Sequence, residues 1–206
     1  MELPIDVYML ANIVGTIAFA FSGFLVGVRK ELDVMGVFIL SMLTANGGGA
    51  VRDVLLNRTP WVLVDINAFL IVFGVFVLAY GFRLSRFASV ERSHFFVLSD
   101  AMGLVAFSVT GAVAAMDAGL SLFGCMVLAF ITATGGGIIR DIMVNEEPSI
   151  LRSDFYGSVA VLVALAIWGL EQLSLQNDSN LLVVFVVALL LRLLAYYMRW
   201  RLPRAR

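Results

Sequence analysis

The sequence has one cysteine, one histidine and four prolines among its 206 residues. The single Cys125 excludes an internal disulfide and a thiolate metal cluster, and the single His94 excludes the multi-histidine zinc motifs. Charged residues make up only 14% of the chain, and a net charge of -1 does not indicate a nucleic acid partner. Because we find no nucleophile–base or metal-ligand motif, we expect no enzymatic activity, no cofactor and no bound metal.

The sequence is rich in apolar residues, which make up 61% of it and give a mean hydropathy of +0.98. Soluble domains are about half apolar and about a quarter charged. We therefore predict an all-α integral membrane protein, with a single transmembrane domain covering 1–206. About 20 apolar residues cross a bilayer as a helix. On that basis we predict seven spans, at about 6–28, 33–57, 60–82, 95–116, 119–145, 150–171 and 178–199.

The positive charges flanking these spans are distributed unequally. Ten Lys and Arg residues lie on one side, whereas only Arg58 lies on the other. Cytoplasmic loops carry the excess of Lys and Arg. We therefore expect a multi-pass protein of the inner or plasma membrane, with the amino terminus outside and the carboxyl terminus in the cytoplasm.

One unusual pattern, T-A-x-G-G-G-x-x-R-D, occurs twice, at 44–53 and 132–141. Each glycine costs a helix about 1 kcal/mol relative to alanine. Charged residues inside apolar spans are also costly unless they are paired or face water. A chain that contains both features twice, at matching places, is expected to build a site from two broken helices.

The two copies belong to a longer internal repeat. The glycine triplets are 88 positions apart, and the same offset aligns Gly15 with Gly103 and Gly36 with Gly124. We therefore predict one three-span repeat at about 6–82, a second at about 95–171 and an unpaired seventh span at about 178–199. Because three is odd, the second repeat enters the membrane in the opposite sense, as in many transporters.

Glycine triplets allow a helix to kink or unwind, and unwound backbone groups need water, an ion or a polar neighbour. We therefore expect the second and fifth spans to be kinked at their triplets and to face each other across a central cation pathway. The alternative is that the glycines only let helices pack closely. The predicted pathway residues are Ser22, Thr44, Asn46, Gly47, Gly48, Gly49, Thr110, Thr132, Thr134, Gly135, Gly136 and Gly137.

The charged residues that follow each triplet are candidate gate or pairing residues. Adjacent residues point in different directions on a helix. We therefore predict that Arg52 pairs with Asp141 and that Arg140 pairs with Asp53, across the two repeats. The alternative is that these charges only anchor helix ends near the headgroups. Asp100, which aligns with an asparagine of the first repeat, is equally compatible with an interfacial position and with a vestibule.

The doubled motif, the inverted repeat and the lone seventh helix resemble the prokaryotic trimeric intracellular cation (TRIC) channel family. The same bacterial sequences have also been grouped as a glycine-transporter-like membrane protein family. The resemblance implies a homotrimer whose protomers each contain a pore among the first, second, fourth and fifth spans. The implied activity is potassium-selective permeation of monovalent cations through this pore, without ATP. The expected partners are K⁺, Na⁺ as a second ion, and the surrounding membrane lipid.

A channel is not the only function that an inverted repeat can serve, since a transporter also needs a site near the midplane. The alternative is a secondary transporter of a small solute such as glycine. Apart from the Arg-Asp pairs and the helix ends, the sequence offers few groups to hold the two charged ends of an amino acid. That shortage favours the channel.

Overall fold

The structure is a computed structural model that describes residues 7–84, 94–152 and 155–200, without the side chain of Arg152. In these parts of the chain, the regular secondary structure is entirely helical. The helices are α1 (Val7–Arg29), α2 (Val34–Leu55), α3 (Trp61–Val64), α4 (Ile66–Gly81), α5 (His94–Asp117), α6 (Leu122–Met143), α7 (Ser149–Arg152), α8 (Gly157–Gln172) and α9 (Asp178–Tyr197).

Five of the described helices, α1, α2, α5, α6 and α9, are long and apolar enough to cross a membrane. The predicted spans at 60–82 and 150–171 are each divided into a four-residue helix and a 16-residue helix. At 1.5 Å per residue, α4 and α8 each extend about 24 Å, which is less than the hydrocarbon thickness of about 30 Å. The count of seven spans therefore stays a prediction.

The division of the third predicted span has a local cause in Asp65. Its carboxylate accepts a hydrogen bond from the Asn67 backbone N–H at 2.8 Å and so caps the start of α4. The same carboxylate accepts a second hydrogen bond, at 3.0 Å, from the indole Nε1 of Trp61 in α3. An N-cap residue has non-helical backbone angles. The chain therefore turns at this position instead of continuing as one long helix.

Equivalent positions of the two halves have equivalent local geometry. Asp33 begins α2 by accepting a hydrogen bond from the Gly36 N–H, and Ser121 begins α6 by accepting one from the Gly124 N–H. After these helices the backbone turns at Asn57 and Asn145, with φ of 54° and 55°. Asparagine tolerates this left-handed conformation better than most residues. The offset of 88 residues therefore relates local structure as well as sequence.

The helices α1 and α5 cross each other with their directions opposed. Gly15 of α1 faces Phe107 of α5, and Gly103 of α5 faces Phe19 of α1. Along α1 the contact residues ascend while along α5 they descend, which defines an antiparallel crossing. Because 15 and 103, and 19 and 107, are each 88 positions apart, the contact has the symmetry of a two-fold axis between the two helices.

The remaining helices pack around the four central ones, α1, α2, α5 and α6. The first-half helix α4 lies against α1 and α2, and its counterpart α8 lies against α5 and α6. The last helix, α9, packs on α5 and α8 and thus contacts the second half more than the first. This extra helix is the largest departure of the described fold from two-fold symmetry.

Candidate functional site

The two glycine triplets meet where α2 crosses α6. A Cβ atom on Gly48 would overlap the backbone carbonyl oxygen of Thr132, and one on Gly136 would overlap that of Thr44. A Cβ on Gly135 would come within 3.0 Å of the Gly48 Cα atom. Only glycine permits two membrane helices to approach this closely. The first two glycines of each triplet therefore form the contact surface of the two helices.

Two expectations about the triplets are corrected by this contact. Both α2 and α6 continue as α-helix through the triplets, so the unwound, broken segments expected there are not formed. The space expected between the triplets is occupied by the backbones themselves. The intrinsic cost of helical glycine is offset because backbone atoms of the two helices come into van der Waals contact. Whether α2 and α6 bend at the triplets stays a prediction.

The polar side chains predicted to line the pathway beside the triplets mostly bond to their own helices. Threonine hydroxyls in membrane helices commonly donate to the carbonyl four residues earlier. Thr44 and Thr132 are fully buried, and Thr134 is almost fully buried. The donor–acceptor pairs are Thr44 to Leu40 at 2.6 Å, Thr132 to Leu128 at 2.6 Å, Thr134 to Phe130 at 2.7 Å and Asn46 to Met42 at 3.1 Å.

The predicted ion pairs between repeats are wrong. Arg52 pairs with the adjacent Asp53, whose Oδ1 accepts from its Nε at 2.9 Å. Arg140 pairs in the same way with Asp141, at 2.8 Å from Nε to Oδ1. An arginine side chain is long enough to curve back to the next residue, so the different directions of adjacent Cβ atoms do not prevent this pairing. All four groups are buried.

The arginines nevertheless reach the opposite repeat, through hydroxyl groups. Arg140 Nη1 donates a hydrogen bond to the Ser22 hydroxyl of α1. Arg52 Nη1 donates to the Thr110 hydroxyl of α5 at 3.4 Å. Ser22 and Thr110 are themselves 88 positions apart, so these two contacts are equivalent. The sequence identified all four residues but assigned the arginines the wrong partners.

Each aspartate of the motif also holds the short helix that follows it. The Oδ2 atom of Asp53 accepts from the backbone N–H of Trp61, the first residue of α3, at 3.0 Å. The Oδ2 atom of Asp141 accepts from the backbone N–H of Ser149, the first residue of α7, at 2.7 Å. A carboxylate at a helix N-terminus is stabilised by the free N–H groups and the helix dipole. These aspartates therefore connect the arginine sites to the ends of α2 and α6.

The two arginine sites differ because Asp100 contacts only one of them. Arg140 Nη1 donates to Asp100 Oδ1 at 2.7 Å, and both residues are buried. The guanidinium of Arg140 also lies 4.9 Å from the centre of the Phe96 ring. The counterpart of Asp100 in the first repeat is the uncharged Asn12. Arg140 with its two carboxylates carries a net charge of -1, whereas Arg52 with Asp53 is neutral.

The first arginine site borders a small cavity, which we call the α2 cavity. Its volume is about 20 Å³, enough for one water molecule. Polar lining groups include Asn12 of α1 and Asn46, Arg52 and Asp53 of α2, and Gly49 provides part of the wall. Within the described residues, no group of three or more His, Cys, Asp or Glu side chains is placed to hold a metal ion.

The sequence analysis missed two aromatic residues at the centre of the molecule. Phe19 and Phe107 are buried, and their ring centroids are 5.3 Å apart. Phe19 also lies against Gly136, within about 3 Å of the position that a Cβ atom would take. The signal was available, because the two phenylalanines are related by the same 88-residue offset as the triplets. Together with the α2–α6 contact, these rings fill the centre of the four-helix group.

Comparisons with known proteins agree with this architecture. A family model described as "Glycine transporter" matches residues 9–83 and again 97–172, and the two matches begin 88 positions apart. The membrane protein YvgT of Bacillus subtilis is 35% identical over 94% of this chain and 94% of its own length. The inner membrane protein YadS of Escherichia coli K12 is 33% identical over 95% of this chain and 93% of its own.

One of the solved structures similar to this chain is named for its function. It is the TRIC trimeric intracellular cation channel orthologue from Rhodobacter sphaeroides, with 34% identity and a TM-score of 0.84. The match covers 94% of this chain and 99% of that one. The resemblance inferred from the doubled motif is thereby confirmed. The chain belongs to the membrane-protein family that the glycine transporter model describes and that includes the prokaryotic TRIC channels.

Proposed function

We propose that this protein is a monovalent cation channel, conducting K⁺ or Na⁺, with a separate path in each protomer of a homotrimer in the inner membrane. The observation that carries this proposal is the 34% identity and TM-score of 0.84, over nearly the whole of both chains, to a trimeric cation channel orthologue. We place the path among α1, α2, α5 and α6, the first two long helices of each inverted repeat. The pathway residues are those around the triplets and the two arginine sites.

The charges at the arginine sites support a path for cations. A bare arginine would repel K⁺, but Arg52 and Arg140 each have a carboxylate oxygen 2.8 Å away. Asp100 adds a second carboxylate beside Arg140, at 2.7 Å. Neither arginine therefore presents an uncompensated positive charge to a passing ion, since opposite charges at this separation attract strongly in a low-dielectric environment.

Conduction through this arrangement requires a movement of α2 and α6. The contact between Gly48 and Gly136 leaves no space for a side chain, and therefore none for an ion. We propose that the conducting state separates the helices by bending them at their glycine triplets. Glycine is suited to such a bend because it lacks a side chain that would restrict the backbone. The described conformation then corresponds to a closed channel.

The proposal is tested with purified protein in a planar lipid bilayer under a KCl gradient. We expect discrete unitary currents whose reversal potential follows the K⁺ gradient, because a passive path sets the potential at which net cation flow stops. Replacing K⁺ with a large organic cation is the control and should abolish the currents. A reversal potential that follows Cl⁻ would contradict the proposal.

The second candidate is a secondary transporter of a small solute, which the words "Glycine transporter" in the matching family model favour. A transporter should accumulate labelled glycine in liposomes with saturable kinetics and should be inhibited by unlabelled glycine. Saturable uptake without unitary currents would contradict the channel and support the transporter. Currents without saturable uptake would exclude it.

We also propose that the amino terminus is outside the cell and the carboxyl terminus in the cytoplasm. In support, Arg29 and Lys30 at the end of α1 lie on the same side of the molecule as Glu146, with ion-pair distances of 2.8 Å and 2.7 Å. Cysteine labelling of intact cells at introduced terminal sites tests this orientation. If a carboxyl-terminal thiol reacts with a membrane-impermeant reagent before lysis, the proposed orientation is wrong.

A further inference from the structure

The two halves of the proposed path differ most beside the third glycine of each triplet. A Cβ atom on Gly49 would have only the Arg52 Nη2 atom within 4 Å, at 3.9 Å, and the space beside it is the α2 cavity. A Cβ atom on Gly137 would have Arg140 Nη2 at 3.7 Å and also the Tyr156 hydroxyl at 3.2 Å. Tyr156 therefore projects into the counterpart of the α2 cavity.

Tyr156 has no equivalent side chain in the α2 cavity. It is the residue before α8, and its side chain is 3% exposed. Within the described residues its hydroxyl makes no hydrogen bond of regular geometry, although it lies near the carboxylate of Asp100. Arg192 of α9 lies with its guanidinium carbon 4.8 Å from the centre of this ring. A cation over an aromatic face is attracted by the ring quadrupole.

The contact with Arg192 gives the unpaired helix a specific role. The helix α9 has no counterpart in the first half, and Arg192 is buried despite its charge. Among the described helices, the one outside the two repeats thus contacts Tyr156 through Arg192. The residue before the first glycine of each triplet completes the comparison. Asn46 borders the α2 cavity, and Thr134 is its equivalent in the second repeat.

We propose that Tyr156 is the plug that closes the second-repeat half of the cation path, and that Arg192 holds it in place. This inference rests on the proposed function for its role in conduction, but the closure itself is independent of which solute passes. Withdrawal of the ring would open, beside Gly137 and Arg140, a space equivalent to the α2 cavity. The carboxylate of Asp100 beside Arg140 would then make this half the more attractive to a cation.

The closure is tested by thiol labelling, which does not require the protein to conduct. In a Cys125→Ala background, a small methanethiosulfonate reagent should modify Asn46→Cys, which borders the α2 cavity. The matched Thr134→Cys should be protected, and adding Tyr156→Ala should raise its labelling rate about tenfold or more. Tyr156→Phe keeps the ring and should leave Thr134→Cys protected. Elution of each variant as wild type in size-exclusion chromatography verifies folding.

Currents from the same variants test the role in conduction. Tyr156→Ala, and Arg192→Leu to a smaller extent, should raise the open probability in planar bilayers, with Tyr156→Phe close to wild type. Unchanged protection of Thr134→Cys in Tyr156→Ala overturns the plug. If the wild type conducts and Tyr156→Ala has the same open probability, Tyr156 has no role in gating, but the proposal of a channel is still supported. Exposure of Thr134→Cys without currents from any variant overturns the proposed function and leaves the closure standing.

Discussion

Replacement of Gly48 by alanine is expected to destabilise the protein by about 3 kcal/mol, the upper part of the usual range for overpacking. The physical reason is the neighbour that the new Cβ atom would meet. That neighbour is the backbone carbonyl of Thr132, which cannot move aside as a flexible side chain can. The helices α2 and α6 would have to separate along their whole crossing. Thermal unfolding of the purified protein in detergent measures the loss.

The matched control for this prediction is the adjacent glycine of the same triplet. In Gly49→Ala the nearest group to the new Cβ atom, outside the adjacent helix backbone, is the Arg52 Nη2 atom at 3.9 Å. It also gains helix propensity of up to about 1 kcal/mol. We therefore expect Gly49→Ala to be neutral or slightly stabilising. Equal destabilisation by both substitutions would contradict the packing explanation.

The same pair of variants separates packing from bending. If conduction depends on backbone flexibility at the triplet, Gly49→Ala should lower the open probability although it does not lower stability. If the triplets serve only as a contact surface, Gly49→Ala should conduct as wild type. The proposal of a bend predicts the first result. Unitary currents from Gly49→Ala in planar bilayers therefore test the bend alone.

The sequence was sufficient to predict the class of protein, the long helices and the residues around the crossing. Apolar composition and the 88-residue offset are properties of the chain itself, and both correspond directly to packing in the structure. The same offset also aligns Phe19 with Phe107, and the rings of these two residues are in contact in the structure. Repetition in sequence is informative here because a two-fold axis places equivalent residues in equivalent contacts.

The partners of the buried charges could not be predicted in the same way. An offset relates Arg52 to Arg140, but it does not state whether each arginine turns to its own repeat or to the other. That choice depends on side-chain reach and on the direction in which each helix ends. The positions at which the two halves differ in structure could not be predicted from the sequence either. The contact of Asp100 with Arg140, and that of Tyr156 with Gly137, are recognised as differences only when the two halves are compared in three dimensions.

Replacement of Arg140 by leucine is expected to destabilise the protein by about 3–5 kcal/mol, the cost of leaving buried charges without a partner. The guanidinium is 0% exposed and lies between two carboxylates, with oxygens at 2.7 Å and 2.8 Å. Without it, Asp100 and Asp141 would repel each other in a poorly polar environment. The midpoint of thermal unfolding in detergent should fall, and the yield of folded protein should fall with it.

Two further variants identify the second carboxylate as the source of this cost. Arg52→Leu leaves only Asp53 uncompensated, next to a cavity large enough for one water, so it should cost less than Arg140→Leu. Adding Asp100→Asn to Arg140→Leu leaves one carboxylate, Asp141, just as Arg52→Leu leaves Asp53 alone, and should recover part of the lost stability. Greater loss from Arg52→Leu, or no recovery by Asp100→Asn, would show that Asp100 does not determine the difference. The asymmetry between the two arginine sites would then have to come from Arg192 or from Tyr156, whose variants can be measured by the same unfolding experiment.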